Sequence, residues 1–191
     1  MIAFKFLGAG AVAPYTEFRW PVGGEWVSAP ADRAADVWIH ACRPGDLPCW
    51  IDEELWRIEL EAPLVETRWQ IASARGRLRG RVEGWGPLLA RKFAEACAWR
   101  ARDVALPRLP PALHDPIAGT FDLGALAAGA TAHRSLTGAY LADAAKYARQ
   151  GLPAMTAYVA AVLASSLGGG LGAFEAERAW QAHWLADRLG L

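Results

Sequence analysis

Leu55-Trp56-Arg57-Ile58-Glu59-Leu60-Glu61 is the stretch that decides the fold. Successive side chains of an extended strand point to opposite faces, so Trp56, Ile58 and Leu60 share one face while Arg57, Glu59 and Glu61 share the other. One apolar and one charged face fits an antiparallel strand that covers a core on one side only. Outward from it, short segments rich in Trp, Val, Ile and Phe are cut by Gly and Pro. This writing predicts further strands near Ile2–Leu7, Glu25–Ser28, Val37–Cys42, Val65–Ala72 and Leu78–Glu83.

The texture changes near residue 83. Pro87 suits a first helical turn, and Leu89, Phe93, Ala96, Cys97, Arg100 and Val104 recur at helical spacing up to about Leu106. Pro107, Pro110, Pro111 and Pro116 make the next stretch an irregular connection and a hinge candidate. Ser135 or Thr137 can cap a helix with Leu136, Tyr140, Ala144, Tyr147 and Ala148 on one side and Asp143 and Lys146 on the other. A last helix over about Phe174–Leu189 turns Trp180 and Trp184 inward and Glu177, Arg178, Gln181 and Arg188 largely outward. The expectation is an α+β fold, a mainly antiparallel N-terminal sheet packed against C-terminal helices. It forms one domain over residues 1–191, strand-rich over 1–83 and helical over 84–191.

The 191 residues are 53% hydrophobic, enough to fill a core and too many for a small disulfide scaffold. Twenty basic and twenty acidic side chains cancel, so no net field recruits nucleic acid or an anionic membrane. Cys42, Cys49 and Cys97 are odd in number and irregular in spacing, which points to a reducing, cytoplasmic compartment. Residues 1–13 imitate a signal peptide, but Lys5 interrupts the apolar run where a charge should precede it, and the run reads as a first strand. Residues 151–174 carry no formal charge, which reaches the ~18 residues of a spanning helix. Pro153 and Gly168-Gly169-Gly170 confine the helical part to about Ala154–Leu167, and a core helix is the preferred reading over a membrane span.

Several patterns carry chemistry. Gly8-Ala9-Gly10-Ala11-Val12-Ala13 follows a strand and matches a loose phosphate-binding fingerprint, but Pro14, Pro21 and Gly23-Gly24 leave no room for the helix that fingerprint needs. Trp38, His40 and Cys42 alternate along one strand and project from one face. His40 and Cys42 can act as a base and an activated thiolate, with Asp36 or Asp46 orienting the imidazole. Cys49 would be a third soft ligand for a metal, at a spacing foreign to zinc sites, and no metal is assigned. The competing reading is a core thiol and a satisfied histidine.

Arg75, Arg77, Arg79 and Arg81 occupy every second position and form a stripe on one strand face that can hold anions. Glu59, Glu61, Glu66 and Glu83 are the neighbours that would neutralise it. Ten tryptophans, eight of them before residue 100, supply either a core or the walls of a pocket, and Trp20 and Trp26 beside the Gly-rich turn are the candidates to face a cavity. Asp52-Glu53-Glu54 reads as a solvated acidic turn, and His183 with Asp187 as a surface helix pair.

His40-Ala41-Cys42, followed by Asp46-Leu47-Pro48, Trp50 and Glu54-Leu55-Trp56-Arg57-Ile58-Glu59-Leu60, resembles uncharacterised bacterial and phage domains in which a strand ending in His-x-Cys leads through a short turn into another strand. The likeness covers about the first 70 residues and transfers no functional residue. The strand order is also similar to mono-ADP-ribosyltransferase sheets, which hold a nicotinamide nucleotide. That resemblance implies a transferase, with Lys5 standing where the family has arginine or histidine and with no catalytic glutamate loop. The leading expectation is a domain that binds a small molecule or protein without catalysis of its own. Its ligand face would be drawn from Trp20, Trp26, Trp38 and the four arginines. The rivals are a small enzyme on the His40/Cys42 face and an anion or nucleic-acid site at Arg75–Arg81. A homo-oligomer stays open, and the sequence names no cofactor.

Overall fold

A computed structural model describes residues 1–29 and 38–191. The fold is α+β, with antiparallel sheet in the N-terminal part and helices in the C-terminal part. The chain divides into two compact units, one made of Met1–Pro87 with Ala186–Leu191 and the other of Leu88–Leu185.

In the first unit, β1 (Ile2–Leu7), β4 (Glu54–Leu60), β7 (Arg75–Arg81) and β2 (Val27–Ser28) form a four-stranded sheet in the order β1-β4-β7-β2. A second sheet has the order β3 (Ile39–Ala41), β6 (Ile71–Ser73), β5 (Leu64–Glu66). All pairings are antiparallel. The two sheets close on each other. Phe4 and Cys42 exchange two backbone hydrogen bonds of 2.9 and 2.7 Å, which join β1 to the end of β3, and the chain passes from β6 to β7 through the single residue Ala74. Inside this ring lie Ala3, Leu7, Ile39, Ala41, Ile58, Leu60, Ile71 and Leu78, with Trp20 against them. The predicted alternation of β4 holds: Arg57 is exposed while Ile58 and Leu60 are buried.

The strand expected over Val65–Ala72 is instead the hairpin β5–β6. Thr67 donates its backbone N–H to the Gln70 carbonyl at 2.9 Å and turns the chain between them. The strand expected over Val37–Cys42 is described from Trp38 onward, and Val37 lies outside the described residues.

The helical unit contains α1 (Pro87–Ala105), the short α2 (His114–Ala118), α3 (Leu123–Ala132), α4 (Leu136–Arg149), α5 (Pro153–Ala164) and most of α6 (Gly170–Leu189). Ser135 caps α4 by accepting from the Gly138 N–H at 3.0 Å, as its residue type predicts. The proline-rich connection also holds 3₁₀ turns at Leu106–Arg108 and Pro111–Leu113. By length and composition Pro153–Leu189 is apolar enough to cross a membrane. Gly168 (φ 102°) and Gly170 (φ 54°) break that run, and the 12 residues of α5 span about 18 Å against a hydrocarbon core of ~30 Å.

The outward face expected for α6 is corrected. Glu177, Arg178 and Gln181 are buried. Glu177 accepts from Arg100 Nε at 2.7 Å, and Gln181 Nε2 donates to the Ala157 carbonyl at 2.9 Å, so hydrogen bonds offset the desolvation of these groups. Trp180 lies half-buried with Arg100 Cζ 4.5 Å from its ring.

Candidate functional site

His40 and Cys42 alternate with the core residues Ile39 and Ala41 and so leave β3 on its other side. His40 is half-buried and Cys42 buried. Burial, reinforced by the negative charge of Asp46, pushes the Cys42 thiol well above its ordinary range, which leaves it protonated at neutral pH. Of the two acids considered for orienting His40, Asp46 accepts from Arg43 Nε at 2.7 Å. Asp36, the alternative, lies outside the described residues. Among the described residues no three His, Cys, Asp or Glu side chains converge on a metal position.

The tryptophans separate. Trp20 is buried against the core of the ring. Trp38 is half-buried just before β3. Trp26 is half-buried on the outer face of the four-stranded sheet, with the guanidinium carbons of Arg75 and Arg77 lying 5.0 and 4.7 Å from its ring. These two arginines meet carboxylates on β4 and at its end: Arg77 reaches Glu59 at 2.9 Å and Arg75 reaches Glu61 at 3.3 Å. The hydrogen bond from Arg77 holds the Glu59 carboxyl below its ordinary value. Glu66 pairs with Arg43 instead.

The four arginines do not make one stripe. Pairing between β4 and β7 shifts between Arg57 and Ile58, so that Arg57 faces Gly80 while Ile58 faces Leu78, and Arg79 is the extra residue of a bulge. Beyond the bulge the parity of β7 is reversed. Arg81 stands opposite Trp56, on the face that Trp56 shares with Ile58 and Leu60, and its guanidinium lies 3.5 Å from Glu54. Arg79 stays with Glu59 at 3.7 Å.

That turn completes a row across three strands that the sequence reading had not assembled. Lys5 on β1 and Arg81 on β7 flank Trp56 on β4, all on the inner face. Lys5 lies between the core residues Ala3 and Leu7, half-buried, and its Nζ donates to the His40 carbonyl at 2.6 Å, 5.5 Å from the Trp20 ring centre. Burial pulls its ammonium down to about 8, against a smaller opposing effect of Cys42.

Glu54 stands beside this row, buried at the start of β4 and not in a solvated acidic turn. It accepts from the backbone N–H groups of Gly10 and Ala11 at 3.1 Å each and from Trp56 Nε1 at 2.9 Å. Gly10 and Ala11 take φ values of 71° and 60°, which aims their two N–H groups at one oxygen-bearing group. The Gly-rich turn is thus an anion nest filled by the protein's own carboxylate.

The helical unit carries an open groove of about 470 Å³ between the end of α3 and α4, lined by Arg134, Leu136, Ala139, Asp143 and Lys146. Comparison with known protein families, with curated proteins and with solved structures finds no match for this chain.

Proposed function

We propose that this is a cytoplasmic binding protein for a small anionic ligand, without catalysis of its own, and that it reads its ligand on the outer face of the four-stranded sheet. The observation that carries this reading is the Trp26 ring with Arg75 and Arg77 lying against it at 5.0 and 4.7 Å. Guanidiniums stacked on an indole lose little further freedom when an anion arrives, so their donors are ordered in advance. Their present partners, Glu59 and Glu61, are exposed enough that solvent screens the pairs, and a ligand carboxylate or phosphate can exchange for them with little loss. A flat group on the ligand would share the indole.

The enzyme reading on His40 and Cys42 has weaker support, because a thiol held protonated is a poor nucleophile. A nucleic-acid reading is weakened by the bulge, which removes Arg81 from the arginine face and shortens it. The test is calorimetry with adenosine monophosphate, a phosphate joined to a planar base, with adenosine as the uncharged control. The nucleotide should bind and adenosine should not, and rising salt should weaken the binding. Trp26→Ala and Arg77→Gln should each lower the affinity roughly tenfold. Variants that bind as well as the parent, or binding indifferent to salt, would overturn the reading. Native mass spectrometry of the purified protein reports any retained ligand and the oligomeric state in the same measurement.

A further inference from the structure

Of the twenty basic side chains only Lys5, Lys92 and Lys146 are lysines. Lys92 is exposed on α1, and Lys146 sits in solvent 3.6 Å from Asp143. Lys5 alone is turned into the strand ring, in line with Ala3 and Leu7. Among the described residues its ammonium has no carboxylate within ion-pair distance; it has the His40 carbonyl at 2.6 Å and the Trp20 ring at 5.5 Å. An ammonium has three protons to donate, and a cation withdrawn from water is ordinarily paired. Among the described residues the carboxylate beside this row is Glu54, and it is committed to Gly10, Ala11, Trp56 and Arg81.

The position has its own geometry. Phe4 and Cys42 form an isolated bridge between β1 and the end of β3, and Lys5 reaches across beside it to the His40 carbonyl. The amine therefore sits at a seam between strands, flanked by Trp20 and by its ladder partner Trp56. An arginine there would stay charged at any accessible pH, whereas a lysine can give up its proton and become a nucleophile.

We propose that Lys5 is a carbonyl-capturing site, whose amine condenses with the aldehyde group of a small planar ligand lying beside the Trp20 and Trp56 indoles. The neutral Nζ attacks the carbonyl carbon, a C–N bond forms, and the carbonyl oxygen takes up a proton. The carbinolamine then loses that oxygen as water, leaving a C=N bond, so amine plus aldehyde give imine plus water and no oxidant or reductant is consumed. Burial brings the ammonium down from 10.5 to about 8, so at pH 7 its neutral share is on the order of 300 times that of an ordinary lysine. Among the described residues the titratable groups around it are His40 on β3 and Cys42 just after it, Glu54 from β4 and Arg81 from β7. Cys42 stays protonated and Glu54 stays charged while Lys5 titrates. This site is independent of the Trp26 face, which lies on the other side of the sheet.

The test is reductive trapping on the whole chain. Folded protein is incubated at pH 7 with 4-formylbenzoate and cyanoborohydride, and peptides are mapped by mass spectrometry. Lys5 should carry the reduced adduct about tenfold faster than Lys92 or Lys146, and its rate should saturate with the probe and rise with a midpoint near pH 8. Trp56→Leu should weaken the saturation without moving that midpoint, and Arg77→Gln should leave the labelling unchanged, which keeps failure here distinct from failure of the Trp26 face. Labelling of Lys5 no faster than Lys92 in the native parent overturns the proposal, and that comparison needs no variant to fold.

Discussion

Glu54 shows how much one side chain can hold. Burial would push its carboxyl pKa up, but hydrogen bonds from Trp56, Gly10 and Ala11, with the charge of Arg81, outweigh it and hold the carboxyl below its ordinary value. A group whose pKa is lower in the folded state adds stability in full above its unfolded value, and that stability is lost as pH falls through the folded one. Glu54→Gln should therefore cost ~1–2 kcal/mol in urea unfolding at pH 7, since an amide turns a donor toward the Gly10 and Ala11 N–H groups. The gap to the parent should narrow as pH falls from 7 toward 3; a gap that is constant with pH would refute the linkage. Thiol accessibility gives a second check: Cys49, half-buried, should react with a disulfide reagent well before the buried Cys42 and Cys97, both of whose thiols burial pushes up. Equal rates for Cys42 and Cys49 would revive the activated thiolate. The core thiol at Cys42 was one of the two readings its strand position offered, but the Glu54 network was not legible. Asp52-Glu53-Glu54 looks solvated because local sequence does not reveal that two N–H groups forty-odd residues earlier converge on the third acid.

At the scale of elements, periodic patterns read true and interruptions did not. The alternation over Leu55–Glu61 and the Ser135 cap translated directly into β4 and α4, because both are dictated by neighbours a few residues away. The hairpin at Thr67–Gln70 and the bulge at Arg79 escaped, since both are fixed by a partner strand, and Gly80 was the only local hint of the second. Part of the α6 face was misread for the same reason: Arg188 is exposed and Trp184 meets Phe93 as expected, but Glu177 and Gln181 look solvent-facing until Arg100 and the Ala157 carbonyl are brought to them. Gly138 gives this scale a prediction whose sign is unusual. Replacing a helical glycine by alanine normally stabilises by up to ~1 kcal/mol. Here a Cβ would stand 2.5 Å from the Ala130 carbonyl oxygen, backbone that belongs to the facing helix α3. Gly138→Ala should therefore destabilise, by roughly 1–3 kcal/mol, because the two helices must move apart. A thermal melt showing a higher midpoint for the variant would contradict this close approach.

At the scale of the whole molecule the sequence marks a change of texture near residue 83, and the first unit does run to Pro87, but its last six residues arrive from the far end of the chain. Nothing in the composition of Ala186–Leu191 announces that membership, because it rests on a contact across a hundred residues. Leu189 Cδ2 lies 3.2 Å from where a Cβ on Gly84 would be, so the end of α6 rests on a backbone kept bare at that point. Deleting residues 186–191 removes a partly buried leucine and its neighbours from the strand unit and leaves the α3–α4 pair with all its own residues. The deletion should lower the stability of the first unit by ~1–2 kcal/mol. In native-state hydrogen exchange this appears as faster exchange of the β4 and β7 amides, with those of α3 and α4 unchanged. Leu189→Ala alone should give a smaller shift with the same pattern, which separates the loss of this packing from fraying of the shortened helix. Equal loss of protection in both groups would mean that the six residues support the chain in some other way, and no loss in either would mean that the Gly84 contact contributes nothing.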